Sequence, residues 1–211
     1  MNEQAEQTEL KKSLGIRTVL DLIKLNRSCR RFDASHALDE KTLRNLVDHA
    51  RHSASAGNLQ PLKYVLSHEK AMNEKIFSCL AWAAYLTDWK GPEEAERPTG
   101  YIVIVGDRSI TKIFRCDHGI AAQSILLGAR EKGLGGCMIA AFNPERLKNI
   151  LFLDQENDSS RYEILLVIAL GKPVETAVIH DVKPEGDIRY YRDVEGVHHV
   201  PKRTLDEIIL V

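Results

Sequence analysis

Three stretches of this 211-residue chain carry side chains able to hold an anion or a flat heterocycle. The first is Arg27-Ser28-Cys29-Arg30. A phosphate monoester near neutral pH carries close to two charges and needs several donors. Guanidinium groups offer planar forks of them, and a serine adds a hydroxyl. The same run also reads as a solvated basic turn between helices. A shorter basic run, Lys202-Arg203 after Pro201, lies near the other end of the chain. The second stretch, 53–61, contains Ala54, Ser55, Ala56, Gly57, Asn58 and Gln60. Small residues there expose backbone groups to a planar ligand, while Asn58 and Gln60 can each donate and accept. A plain helix-to-strand loop would need the same residues. The third, 133–141, ends in Met138, Ile139, Ala140 and Ala141. Its glycines let backbone approach a ligand, or simply cap a helix before a strand.

Other candidates are poorer. Asp117-His118 and His198-His199 lack companions at metal-ligand spacing, so no metal is expected. No G-x-S-x-G is present for a nucleophile elbow. Gly133-Leu134-Gly135-Gly136 follows a helix rather than a strand, which argues against a dinucleotide fingerprint. Trp82, Tyr85 and Trp89 fall at i, i+3, i+7, as on one helical face, and read as packing or a wall. Cys29, Cys79, Cys116 and Cys137 form no C-x-x-C pair, so the expectation is buried free thiols in a reducing cytoplasm.

The elements that would position these residues are legible. A helix is predicted over 19–25. Asp39 reads as an N-cap for a helix buried through Leu43, Leu46, Val47 and Ala50. Gln60, before Pro61, is expected extended. A strand at 62–66 and a helix carrying Met72, Ile76, Phe77 and Leu80 follow, then a surface loop over 88–100. The β-branched run 101–105 suits a strand covered on both faces. Asp117 reads as the cap of a helix to about Lys132 that is apolar nearly all round, hence buried in a core or at a subunit interface. A short strand (137–140), a helix begun by Asn143-Pro144 and a buried strand over 163–170 complete the core. The remainder reads as irregular until 205–211. Helices separating few strands give an α+β (α/β layered) class, a sheet between helical layers.

Apolar residues at 44% and charged residues at 28% fit a folded globular protein rather than a disordered one. A net charge of −1 supplies no field for nucleic acid or an anionic membrane. The polar N-terminus has no secretory pattern and no apolar run could span a bilayer, so a cytoplasmic protein is expected. Residues 1–14 read as a flexible tail and 15–211 as one domain with a C-terminal extension.

In order along the chain, these motifs resemble the FMN-dependent nitroreductase family. Residues 26–32, Asn-Arg-Ser-Cys-Arg-Arg-Phe, are similar to its R-R-S-x-R-x-F opening, and Ser55 to Pro61 to its S-x-x-N-x-Q-P motif. Ala121-Ala122-Gln123 with Gly133-Leu134-Gly135 resembles its A-A-Q…G-L-G helix and turn. Residues 169–173 resemble its late strand end, and 201–203 its terminal basic motif. Asn26, Ala54, Leu62 and Ala140 depart from residues common in the family.

The resemblance implies a homodimer with a mainly antiparallel central sheet, flanked by helices, and FMN across its interface. Arg27, Ser28 and Arg30 would hold phosphate and ribityl, with Lys202 and Arg203 completing the phosphate site. Ala54, Ser55, Ala56, Gly57, Asn58 and Gln60 would line the flavin from the partner subunit. Met138, Ile139, Ala140 and Ala141 would lie along the reactive edge, a backbone N–H of Ala140 or Ala141 facing N5 or O4. NADH or NADPH would reduce the flavin, and a nitro compound, quinone or related electrophile would reoxidise it, without a side-chain acid. The alternatives are a flavin-binding sensor or store without turnover, and a metal-binding or interaction protein built on His198-His199.

Overall fold

A computed structural model describes residues 8, 9, 11–13, 15, 18–151 and 161–210 of the chain. At its centre β3 (Gly100–Asp107) and β5 (Tyr162–Pro173) run antiparallel, paired from Gly100↔Leu170 to Asp107↔Tyr162. β2 (Leu62–Ser67) covers the free edge of β3. β4 (Gly135–Ile139) and the two-residue β1 (Phe32–Asp33) pair with β5 at 167–171 and 172–173. All pairings in this five-stranded sheet are antiparallel, as the fold class anticipated.

Alternation along β3 divides the core in two. Ile102 and Ile104 pack with Leu43 and Leu46 of α2 (Glu40–Arg51) and Ile125 of α4 (Asp117–Glu131). Tyr101, Val103 and Val105 pack with Ile76 of α3 (Lys70–Phe77) and Leu147 of α5 (Pro144–Ile150). Each such apolar side chain, fully buried, contributes about 1.5–3 kcal/mol. The first helix, α1 (Val19–Leu25), starts at a capping box between Thr18 and Asp21. Asp39 caps α2 through Thr42 N at 2.8 Å, and Asn143 caps α5 through Arg146 N at 3.0 Å. Gly133 closes α4 at φ 71°: its N–H reaches Arg130 O (3.0 Å) while Leu134 N–H reaches Ala129 O (2.9 Å), a Schellman turn.

Several expectations need correction. Cys116, not Asp117, is the N-cap of α4; Asp117 is its first residue and turns its carboxylate elsewhere. Cys116 is also exposed, unlike the other three thiols. Gln60 sits at φ 52°, in the left-handed region rather than extended, because its N–H bends back to Ser55 Oγ at 3.0 Å. Trp82, Tyr85 and Trp89 share no helix. Ala81 N–H is committed to Ala141 O at 2.9 Å and Ala83 turns to φ 43°, so the chain leaves helical geometry despite its spacing. Residues after 173 are not irregular. β6 (Ala177–Val182) runs parallel to β8 (His198–Arg203), and β7 (Tyr191–Arg192) pairs β8 antiparallel, before the short α6 (Leu205–Ile208).

Within the 1–14 segment, Thr8, Glu9 and residues 11–13 are helical and Lys11 pairs with Glu131 of α4; the rest of it lies outside the described residues. Among the described residues no helix is long and apolar enough to cross a membrane.

Candidate functional site

The first basic stretch leaves α1 and runs beside β4, where Cys29 N–H donates to Gly136 O at 2.9 Å. Glycine is needed there because a Cβ on Gly136 would lie 2.6 Å from the Ala169 carbonyl. The arginines then part company. Arg27 turns back, giving Nη2 to Ile23 O at 2.7 Å; its Nε is buried without a partner, and burial lowers its pKa. Arg31 is structural, its Nε on Glu96 Oε2 at 2.7 Å. Arg30 is buried and lines a cavity of about 330 Å³ with Met138, Ile139, Ala140, Ala141, Trp82 and Tyr190. Met138 and Ala140 are exposed while Ile139 between them is buried, so alternate residues at the end of β4 face outward.

No carboxylate pairs with the Arg30 guanidinium among the described residues. Its neighbours are His198 Nε2 at 3.4 Å and the Tyr190 ring, 4.8 Å from centroid to Cζ. Burial, then the Arg30 charge, pushes the His198 pKa down, which keeps the ring neutral at pH 7. With its proton on Nδ1, that ring presents Nε2 to the guanidinium as an acceptor. Burial likewise drives the Cys29 and Cys137 thiols up, so neither is a ready nucleophile. Glu175 comes near but is occupied. It accepts the Arg30 backbone N–H on one oxygen and Arg192 Nη2 at 2.9 Å on the other. The arrangement is a buried cation with spare donors, next to small residues that allow close approach. It suits an anionic or electron-rich planar group.

The second stretch lines a different cavity, of about 320 Å³, with Ser53, Ala54, Ser55, Gln60, Tyr64 and Asp117 among its walls. Asp117, itself buried, accepts Ser55 Oγ at 2.5 Å and Ala56 N at 3.0 Å. Gly57, Asn58 and Gln60 all take positive φ, and Gln60 Nε2 donates to Asn58 Oδ1 at 3.2 Å. The loop is thereby shaped while Ala54, Ala56, Gly57, Asn58 and Gln60 remain exposed. Burial, aided by Asp117, pushes Tyr64 up to about 12.

The structure therefore joins Arg30 to 138–141 and keeps 54–60 apart from both, the two cavities having no lining residue in common. Lys202 and Arg203 line neither; both are exposed at the far end of β8, Arg203 pairing with Glu207. His198, at the near end of that strand, is the residue that meets Arg30. His198 and His199 point to opposite faces: His199 pairs with Asp193 at 2.8 Å and stacks on Tyr191. Sequence reasoning missed Glu175, Tyr190 and the loop-holding role of Asp117. Only Asp117 gave a signal, and it was read as a cap.

The sequence matches the Nitroreductase family over residues 23–172. YodC of Bacillus subtilis (strain 168), which carries the name of an NAD(P)H nitroreductase, is 28% identical over 188 residues, covering 75% of this chain and 91% of YodC. The crystal structure of a nitroreductase family protein from Streptococcus pneumoniae TIGR4 has a TM-score of 0.62 at 17% identity, covering 92% of this chain and 100% of that one. An FMN-dependent nitroreductase from Clostridium difficile R20291 gives 0.59 at 21% identity, covering 72% and 86%.

Proposed function

This chain belongs to the nitroreductase family, and from that premise we propose that it is a homodimeric, FMN-dependent oxidoreductase. In this reading it carries hydride from NADH or NADPH to a nitro compound, quinone or related small electrophile in a ping-pong cycle. The observation that carries the reading is the Arg30 guanidinium, buried beside the exposed end of β4 with no carboxylate paired to it among the described residues. Such a group is stable if an anion or electron-rich ring completes it. The partnerless Arg27 Nε and His198 Nδ1 add donor capacity to the same loop and strand. This donor set fits a phosphorylated flavin. The names of the Bacillus and Clostridium relatives point the same way.

FMN, when bound, would supply the hydride-transfer chemistry. The protein's share is binding and charge. Arg27, Ser28 and Arg30 would hold phosphate and ribityl, and Lys202 and Arg203, which line neither cavity, would have to reach the phosphate from the far end of β8. The positive charge of Arg30 would favour the reduced, more electron-rich state. Within 138–141, Ala140 and Ala141 would give the reactive edge a flank of small groups, and no carboxylic acid stands among the described residues lining the Arg30 cavity.

The separation of the two cavities supports the homodimer reading. Each alone, at about 320–330 Å³, is at the low end for a small-molecule site. A partner's 54–60 loop laid over the Arg30 cavity would complete one site from two halves. α4 leaves Ile120 38% exposed beside the loop it anchors, which gives that contact an apolar element. Three buried, unpaired thiols suit a reducing cytoplasm, where we place the protein.

Freshly purified protein should be yellow, and NADH or NADPH added without oxygen should bleach it. A colourless protein that takes up no FMN refutes the cofactor; a yellow one that neither nicotinamide bleaches, or that turns over no acceptor, is a flavin carrier instead. The double variant Arg30→Ala/Lys202→Ala should release the pigment; if it stays fully yellow, the two basic clusters do not share one ligand.

A further inference from the structure

The family match ends at residue 172, yet the cavity that holds Arg30 is walled by a residue from beyond it. The small C-terminal sheet presents alternate residues to opposite sides. Tyr191 stacks with His199 on one face, at 4.7 Å and 4° between rings. Tyr190, Arg192 and His198 belong to the other. Tyr190 packs on Arg30, on His198 at 5.3 Å and on Tyr85 at 4.9 Å, and its Oη accepts Tyr85 N–H at 3.4 Å. Arg192 stacks over Trp89 at 5.0 Å while held by Glu175. The extension is thus clasped to the 81–89 segment at two points, and its tyrosine stands half-buried at the wall of the cavity that the end of β4 also lines.

We propose that Tyr190 is a specificity-determining residue that selects flat aromatic acceptors by offering the ring an aromatic wall for offset or edge contact. The inference rests on the flavin reading of this site and goes beyond it, because it assigns acceptor choice to the extension. The physical basis is the preference of aromatic rings for offset or edge contacts, worth about 0.5–1.5 kcal/mol beyond the area they bury. A ring already fixed by Arg30, His198 and Tyr85 loses little freedom when a second ring joins it. An acceptor without a π-face gains nothing from it.

The test compares Tyr190→Leu and Tyr190→Phe with wild type. Leucine fills space without a ring, and phenylalanine keeps the ring without the hydroxyl. Two acceptors are used with flavin-loaded protein: menadione, a planar quinone, and ferricyanide, which needs no stacking. In a ping-pong cycle the acceptor's kcat/KM does not contain the donor half-reaction, so the ratio isolates acceptor selection. A second readout needs no turnover: calorimetric binding of nitrobenzoate with no reductant present. Tyr190→Leu should lower kcat/KM for menadione and weaken nitrobenzoate by about five- to tenfold. Ferricyanide should stay within about twofold, and Tyr190→Phe should match wild type. The proposal is overturned if menadione and nitrobenzoate are indifferent to Tyr190→Leu, if both acceptors fall together, or if the leucine variant loses its flavin. A wild-type protein without flavin would sink the broader reading instead, and the calorimetry would still judge this one.

Discussion

Replacing Glu175 with glutamine should destabilise the protein by about 3 kcal/mol. Glu175 has 2% of its side chain exposed and serves two donors, the neutral Arg30 backbone N–H and the charged Arg192 Nη2 at 2.9 Å. Glutamine preserves the shape and one carbonyl oxygen, so the Arg30 bond can survive. The charge opposite Arg192, whose side chain is 17% exposed, is lost. Removing one member of a buried pair costs about 3–5 kcal/mol. The lower end applies here because Trp89 still faces the guanidinium at 5.0 Å. For a chain of this size that corresponds to a Tm lower by about 6–12 °C. Urea unfolding followed by circular dichroism gives the free energy. The double variant Glu175→Gln/Arg192→Met then measures coupling: with no charge left to strand, it should be more stable than the sum of the single changes by at least about 2 kcal/mol. A Glu175→Gln loss below about 0.5 kcal/mol, or strictly additive single effects, would refute the clasp as described.

Asp117→Ala removes two charge-assisted acceptor contacts to Ser55 and Ala56. The freed donors can reach water in this exposed loop, so the loss should be about 2 kcal/mol in urea unfolding, with faster proteolysis confined to 53–61. Gly136→Ala forces a Cβ to 2.6 Å from the Ala169 carbonyl and should cost about 1–3 kcal/mol while detaching the Cys29 loop, read as faster exchange of the Cys29 amide. Asp107 is held down to about 2, chiefly by Arg161 and then by Ser109. Its folded value is below its unfolded one, so its stabilisation is complete above pH 3.8 and disappears as pH falls through about 2. The stability difference between wild type and Asp107→Asn should vanish across that window. His198 acts in the same direction at higher pH. Its folded pKa is lowered, so stability declines as pH falls below 6.5, a slope that His198→Gln should abolish.

Local signals were enough wherever the chain's own chemistry decides the structure. The β-branched run at 101–105 leaves no polar face, and β3 is buried along its whole length. Asp39 and Asn143 cap because their side chains reach an amide three residues on, independent of the fold. Failure came where a distant partner decides. The 82–89 spacing fits a helix, but the Ala141 carbonyl claims Ala81 and the segment turns at Ala83. The C-terminal sheet escaped notice because its inward residues are His, Tyr and Arg rather than aliphatic groups, and because β6 and β8 are parallel across a long connection. At the site, the basic runs and small-residue stretches were visible as composition. The separation of 54–60 from Arg30 depends on the Asp117 anchor, and the glutamate and tyrosine that position that arginine depend on contacts more than 140 residues apart in the chain.

That separation of cavities has a genetic corollary. On the dimeric reading, each working centre borrows its Arg30 side from one polypeptide and its 54–60 loop from the other. Two inactive alleles, Arg30→Ala and Asn58→Asp, would then complement when co-expressed. A mixed pair assembles one centre carrying both lesions and one carrying neither, so about half the centres of each heterodimer should recover colour and turnover.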